Sequence, residues 1–423
     1  MSRGRKSHWS TLFLATAAAI FTIALVVYPE QGFAAGMSGL KLFWRSVFPA
    51  LLPFFVLSEI LLGLGIVRGL GVLLEPLMRP LFSVPGVGAF ALSMGLAAGF
   101  PMDAVITARF RETKQCTRVE GERLLAFTNT ADPLFMFGSV AVGMFKSPAV
   151  GGLLAIAHYI SAFLVGFVFK WWGRKDPTHI AEVKARANEE RRDFILVRAY
   201  RELLKAREED GRPFGKLLGN AVTESMQTLL MICGFIVFFA VLIQVMHLSG
   251  MMKVIGWPIA AVYHLFHINN GLVNPTIAGL LELDVGSAQT AVVSAPMLQK
   301  LALVSAIIGW SGLAVHAQVA SVLTNTDIRM TPYVIARFLQ AAFAAVVTVI
   351  FYQLGMGHAA AAAFAHMPVM TAVGRAGSGQ SFWHVASSSL SFWLIALAGM
   401  VVLALGLGMF RRIRVIAFHT RLK

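Results

Sequence analysis

The apolar segment 124–145 is interrupted by Thr128-Asn129-Thr130-Ala131-Asp132-Pro133. Pro133 lacks an N–H and its ring clashes with the preceding turn, so a helix passing here must open and leave the Asn129 carbonyl without its usual partner. An amide, two hydroxyls and a carboxylate lie beside that break. Asn129 and Asp132, and Thr128 and Asp132, have the spacing of neighbours on one helical face, where they could meet one ligand or cation. In lipid a freed backbone group needs a partner and a carboxylate is costly, so the combination predicts a polar cavity. The plainer alternative is a kink satisfied by Thr and Asn side chains, with Asp132 paired to a neighbouring helix.

A second group follows the same logic. Gly309-Trp310-Ser311-Gly312 breaks the apolar span 300–322, and His316 and Gln318 follow it. Ser311 and Gln318 share a face, and His316 stacks beside Gly312. A buried histidine more often packs than binds, so both roles stay open for His316. The same string fits the G-x-S-G of intramembrane serine proteases. A catalytic serine needs its base within hydrogen-bond reach, however, and His316 points to a different face, so no enzyme is expected. Gly99-Phe100-Pro101 with Asp103, and Glu282 with Asp284, complete the candidate substrate-binding set of Gly99, Phe100, Asp103, Asn129, Thr130, Asp132, Glu282, Trp310, Ser311, His316 and Gln318. Glu59, Asp103 and Asp132 are the candidates for a coupling ion, Na+ or H+. For Glu59 the alternative is an ion pair with Arg337 or another buried base. Cys116 and Cys233 show no ligand spacing, and neither a metal nor a cofactor is indicated. No nucleotide-motor string appears, so pumping would draw on an ion gradient.

These groups must be positioned inside a membrane. The chain has 423 residues, of which 57% are hydrophobic and 13% charged, with a mean hydropathy of +0.71. Several nearly uncharged runs approach the roughly 20 residues that a spanning helix needs, so the expected class is an all-α polytopic helical membrane protein. The net charge of +15 does not imply nucleic acid, because Lys and Arg fall in loops flanking apolar runs, where cytoplasmic retention explains them. About eight spans are expected. Residues 1–40 form an uncleaved anchor (apolar run 12–27). Residues 41–169 hold a span at 46–66, an amphipathic interfacial stretch at 68–79, an interrupted hairpin at 84–108, the broken span 124–145 and a return at 149–169. A basic cytoplasmic linker covers 170–216. Residues 217–354 hold a span at 229–245, an amphipathic stretch near 254–266, a second interrupted hairpin at 269–298, the broken span 300–322 and a span at 333–353. An outside loop at 355–389 and a last span with a basic tail at 390–423 close the chain.

The two halves thus repeat one order: span, amphipathic stretch, interrupted hairpin carrying acids, broken polar span, further span. Charge placement puts the first hairpin on the cytoplasmic side and makes the second enter from outside. That is an inverted-topology repeat with two re-entrant hairpins, a design that binds substrate near the midplane between discontinuous helices. The partners it implies are a small-molecule substrate, a coupling ion and the bilayer, with a homo-oligomer left open.

The runs Pro49-Ala50-Leu51-Leu52-Pro53-Phe54-Phe55 with Glu59, Leu74-Glu75-Pro76-Leu77-Met78-Arg79-Pro80-Leu81-Phe82, Gly99-Phe100-Pro101-Met102-Asp103 and Asn129-Thr130-Ala131-Asp132-Pro133 resemble the YlbJ group of sporulation integral membrane proteins. The likeness covers about 40–353. That group contains the Gate, or nucleoside-recognition, module, related in fold to concentrative nucleoside transporters. The resemblance implies a two-hairpin transporter of endospore formers, placed in the outer forespore membrane, with dipicolinate as cargo. By analogy with the nucleoside carriers, binding would fall on 99–103, 129–132, the Glu282 region and 311–318. The second half departs most from the nucleoside pattern, which puts nucleoside cargo in doubt.

Overall fold

The computed structural model describes residues 8–133, 135–189 and 195–355, and in the last stretch 391, 394–395, 397–404 and 406. All but Gly355 of the outside loop expected at 355–389 lies outside the described residues, as do the basic tail and much of the last span. Among the described residues the protein is all-α, without a strand.

The chain begins with α1 (His8–Val27) and α2 (Pro29–Leu42), whose pair Ala18–Val27 and Pro29–Leu42 is bent by 105°. A π-helical turn, Phe43–Val47, leads into α3 (Phe48–Gly63). Gly65, at φ 76°, then turns the chain by 84° into α4 (Ile66–Phe82). The expected amphipathic stretch is α4. It buries Leu74, Leu77 and Met78 and leaves Arg68, Glu75 and Arg79 part-exposed. Next come α5 (Gly88–Ala98), α6 (Met102–Glu112), α7 (Arg118–Thr128), a π-helix at Phe135–Met144 and α8 (Pro148–Phe169). The linker carries α9 (Pro177–Glu189) and α10 (Ile195–Asp210). The second half runs through α11 (Phe214–Leu248), α12 (Met251–Leu265), a 3-10 turn at Asn270–Leu272, α13 (Val273–Leu281), α14 (Leu283–Val292), α15 (Met297–Trp310), α16 (Gly312–Val322) and α17 (Met330–Gln353).

Among the described residues four stretches are long and apolar enough to cross a membrane: Pro148–Phe169, Phe214–Leu248, Met297–Asn325 and Met330–Gln353; counting each bent pair as one span gives six. Two expected spans account for the distance from eight. The segment 124–145 is split, leaving the short apolar helix Phe135–Met144, and the run 390–410 falls largely outside the described residues.

Packing explains how the polar residues are held. The α5–α6 pair is wrapped by α3, α4 and α7 around Phe54, Leu74, Phe82, Phe90, Met94 and Phe127, with Leu229 and Ile232 of α11 closing that core. A second core joins the halves: Ala104, Leu125, Leu283, Ile307, Val315 and Tyr333 pack together, with Phe100 against them. Helix α17 lies along α7, α8 and α15, so its polar residues face the first half. In lipid it is close packing of these apolar groups and hydrogen bonds between helices, not removal from water, that hold the breaks described below inside the protein.

The linker is fastened to the base of the fold. Arg68 of α4 pairs with Glu209 of α10 at 2.6 Å, and Arg111 pairs with Glu182 of α9 at 3.0 Å. Arg111 also holds both oxygens of Asp327, at 2.7 and 2.8 Å, in the loop before α17. That bond to Arg111 keeps the Asp327 carboxyl below its ordinary range.

Candidate functional site

Helix α7 opens on a capping box. The Thr117 hydroxyl accepts the Glu120 backbone N–H at 3.1 Å while Glu120 accepts that of Thr117 at 2.8 Å. It ends at Thr128, ahead of Pro133, and residues 129–132 run without helical structure. Thr128 and Asp132 therefore do not share the helical face that their spacing suggested, because the break begins before Asp132 and not at it.

Other side chains satisfy the freed backbone. Arg337 of α17 donates to the Asn129 carbonyl at 2.5 Å and also to the Ala126 carbonyl. The Ala131 N–H donates to His158 Nε2 at 3.0 Å, and the Tyr159 hydroxyl donates to the Ala131 carbonyl at 3.2 Å. Thr130, fully buried, donates to the Thr128 carbonyl at 3.4 Å. An imidazole nitrogen that accepts carries no proton, so the neutral His158 ring has its proton on Nδ1, 3.5 Å from the Gln340 side-chain amide, whose oxygen accepts it when the amide is turned.

The α5–α6 tip seats on this break. Asp103, in the first turn of α6, is fully buried and accepts from Asn129 Nδ2 at 2.8 Å and Thr128 Oγ1 at 3.2 Å. Gly99, at φ 72°, lies directly over Asp132: a Cβ added there would stand 2.8 Å from Asp132 Oδ2 and 3.2 Å from its nitrogen. Half-buried Asp132 caps the π-helix by accepting the Phe135 N–H at 2.9 Å. Phe100 leans between the apolar cluster around Met136 and Leu301 and the one shared by both halves.

The second half repeats the arrangement. Helix α15 ends at Ser311, at φ 67°, and α16 starts at Gly312, at φ 74°. The α13–α14 tip rests on that break, with Glu282 Cα 3.0 Å and Leu281 O 3.1 Å from where a Gly312 Cβ would lie. Glu282 caps α14 by accepting the Val285 N–H at 2.8 Å, and Trp310 donates its indole N–H to the Leu280 carbonyl at 3.0 Å. Asp284, beside Glu282 at the second tip, lies within electrostatic range of Asp132 in the first break.

Tyr333 links the two breaks. Its hydroxyl donates to Asn129 Oδ1 at 3.0 Å, and it lies within hydrogen-bonding influence of fully buried Ser311. The His316 ring lies 5.0 Å from the Tyr333 ring and 4.3 Å from that of Trp310, with Nδ1 bonded to the Gly312 carbonyl at 2.8 Å. The bend at Ser311 removes the common face expected for Ser311 and Gln318. Gln318 is buried on α16 and makes no side-chain hydrogen bond among the described residues.

Glu59 stands apart. It meets Arg109 of α6 at 3.7 Å, and Arg109 reaches Glu224 of α11 at the same distance, so the basic partner of Glu59 is Arg109 and not Arg337. Sequence reasoning did not find Tyr333, Arg337, His158, Tyr159 and Gln340 as members of the site. Each comes from a segment that reads as an ordinary apolar span, and the available signal was the polar residues Arg337 and Gln340 inside such a span.

No family model matches the chain, and no solved structure matches it. Among curated proteins, the sporulation integral membrane protein YlbJ of Bacillus subtilis (strain 168) is 44% identical over 344 residues, covering 81% of this chain and 83% of that protein. The chain belongs to the YlbJ family of sporulation integral membrane proteins.

Proposed function

We propose that this YlbJ-family membrane protein is a secondary transporter, of the Gate type, that moves dipicolinate from the mother cell across the outer forespore membrane. The observation carrying this reading is the pair of broken helices closed by hairpin tips, Gly99 on Asp132 and Glu282 on Gly312, which meet through Asn129 and Tyr333. Discontinuous helices facing each other across two halves are the arrangement in which transporters hold substrate near the midplane. On this reading the α5–α6 and α13–α14 pairs are re-entrant hairpins of an inverted repeat, and Na+ or H+ supplies the coupling.

The chemistry fits a small planar polar cargo. Phe100 and Trp310 provide ring surface, and Asn129, Tyr333, Ser311 and Gln318 provide groups that can donate to carboxylates. Ribose would instead call on Asp103, Asp132 and Glu282 as acceptors.

One observation favours a second reading, a non-transporting sporulation assembly protein: Asp103, Asn129 and Ser311 are fully buried and already hydrogen-bonded. A deletion strain separates the two. Transport predicts that sporulating cells lacking the protein make dipicolinate in the mother cell but fail to accumulate it in the spore, with uridine uptake unchanged. Normal spore dipicolinate would overturn the cargo assignment.

A further inference from the structure

Helices α2, α11, α13 and α14 enclose a cleft of about 720 Å³ at the end of α11 farthest from the linker. Its polar lining comes from Gln31 and Ser38 of α2, Gln244 and His247 of α11, Asn274 of α13 and Gln289 of α14. Gln31 and Ser38 lie two turns apart, and Gln244 and His247 one turn, so each pair shares a helical face. No charged residue lines the cleft, and none of these side chains makes a hydrogen bond among the described residues. Gln244 stands in the apolar run of α11, and it and Gln289 are half-buried. An amide at membrane depth without a protein partner is costly in hydrocarbon and ordinary in water. Unpartnered amides from separate helices turned to one space therefore mark it as wet, with water or a passing solute completing their bonds.

The cleft leads to the second tip. Val285, Gln289 and Val293 line it along one face of α14. Val285 is bonded through its N–H to the Glu282 carboxylate at 2.8 Å, and the Glu282 Cα rests over Gly312. The inner end of the cleft thus lies beside the break between α15 and α16, and its outer end at the base of the α13–α14 pair.

We propose that this cleft is the aqueous passage between the second tip and the side of the membrane opposite the linker, with Gln244 and Gln289 lining its inner part. An amide solvates an anion through its N–H groups and a neutral solute through both N–H and C=O. Neither is held there as an ion pair would hold it, and a passage requires binding weak enough to reverse. The class that passes is a small polar molecule, neutral or anionic. This rests on the transporter reading.

The test uses the full chain in proteoliposomes, with Cys116 and Cys233 replaced and one cysteine introduced at a time by Gln289→Cys, Gln244→Cys or Val346→Cys. Val346 is exposed on α17 away from the cleft and serves as the lipid-facing control. A membrane-impermeant, charged methanethiosulfonate is supplied on both faces. Its reaction needs a thiolate, which forms in water and not in lipid, so the two cleft cysteines should react at least about tenfold faster than the control. Uptake of labelled dipicolinate is then compared before and after modification of each variant. A bulky adduct at Gln289→Cys or Gln244→Cys should cut uptake at least about fivefold, and treatment of Val346→Cys should leave it unchanged. Two cleft cysteines as slow as the control show a dry cleft and overturn the passage. Fast reaction with uptake unchanged by the adduct at both sites overturns it as well, leaving the transporter reading intact. Absence of uptake in wild type overturns the transporter reading and the passage with it, even where the cysteines react.

Discussion

The Tyr333 hydroxyl donates to Asn129 Oδ1 across 3.0 Å, reaching from α17 into the break that follows α7. The same amide donates from Nδ2 to Asp103 at 2.8 Å, and the Asn129 carbonyl accepts from Arg337. The carboxylate fixes the amide orientation, since it only accepts and so must face the nitrogen, which leaves Oδ1 to accept from the tyrosine hydroxyl. Asn129 therefore ties the first tip, the first break and the second half to one another.

Replacing Asn129 tests that tie. Asn129→Ala leaves Asp103 and Tyr333 short of a buried partner and should destabilise the detergent-solubilised protein by about 2–4 kcal/mol. Asn129→Asp sets two carboxylates against each other and should be at least as damaging. The exchange Asp103→Asn with Asn129→Asp restores a donor–acceptor pair and should recover more than half of the loss in chemical unfolding. An exchange no better than the single variants would contradict the hydrogen bond as the source of the effect.

The tips test the closure. A Cβ at Gly99 would crowd Asp132, and one at Gly312 would crowd Glu282, in backbone conformations at φ 72° and 74° that already disfavour side chains. Gly99→Ala and Gly312→Ala should each cost about 2–4 kcal/mol, from strain of about 1–2 kcal/mol plus overpacking. Gly234→Ala on α11, where a Cβ meets nothing within 4 Å, should be neutral or slightly stabilising. Unfolding midpoints of the three variants measured side by side decide this.

The breaks were legible in the sequence because their causes are local. Gly99, Pro101, Pro133, Ser311 and Gly312 each carry their conformational consequence with them, whatever surrounds them. The closing partners were not legible. Arg337, Tyr333 and His158 meet the break from helices far along the chain, and nothing in one sequence says which polar residue of a distant span faces which carbonyl. The helical-face argument for Thr128 and Asp132 failed for a related reason: Pro133 announces a break but not how many residues before it the helix ends. Glu59 was visible as an anomaly, while nothing local pointed to Arg109 as its partner.

The linker gives a pH prediction. The Thr178 hydroxyl and the His179 backbone N–H, with Arg118 at 2.6 Å, hold the Asp176 carboxyl down to about 2 from its ordinary 3.8. A carboxyl lowered in the folded state stabilises above the unfolded value, and that contribution is lost as pH falls from about 4 through about 2. Protease sensitivity of the linker should therefore rise between pH 4 and pH 2 in wild type. Asp176→Asn should already show the raised sensitivity at pH 5 and change little below it; identical profiles would remove Asp176 from the account.

Orientation is tested by single-cysteine labelling after Cys116 and Cys233 are replaced. Cysteines placed in 195–210 should react only from the cytoplasmic face, and cysteines in 355–389 only from the opposite face. Labelling of 195–210 from outside would overturn the inverted repeat.

The most direct measurement is uptake of labelled dipicolinate into proteoliposomes of the purified protein, under imposed Na+ and H+ gradients in turn. The account predicts saturable uptake driven by one of these gradients, reduced at least tenfold by Asn129→Ala in protein that remains inserted. Uptake no faster than in empty liposomes under every gradient would contradict it.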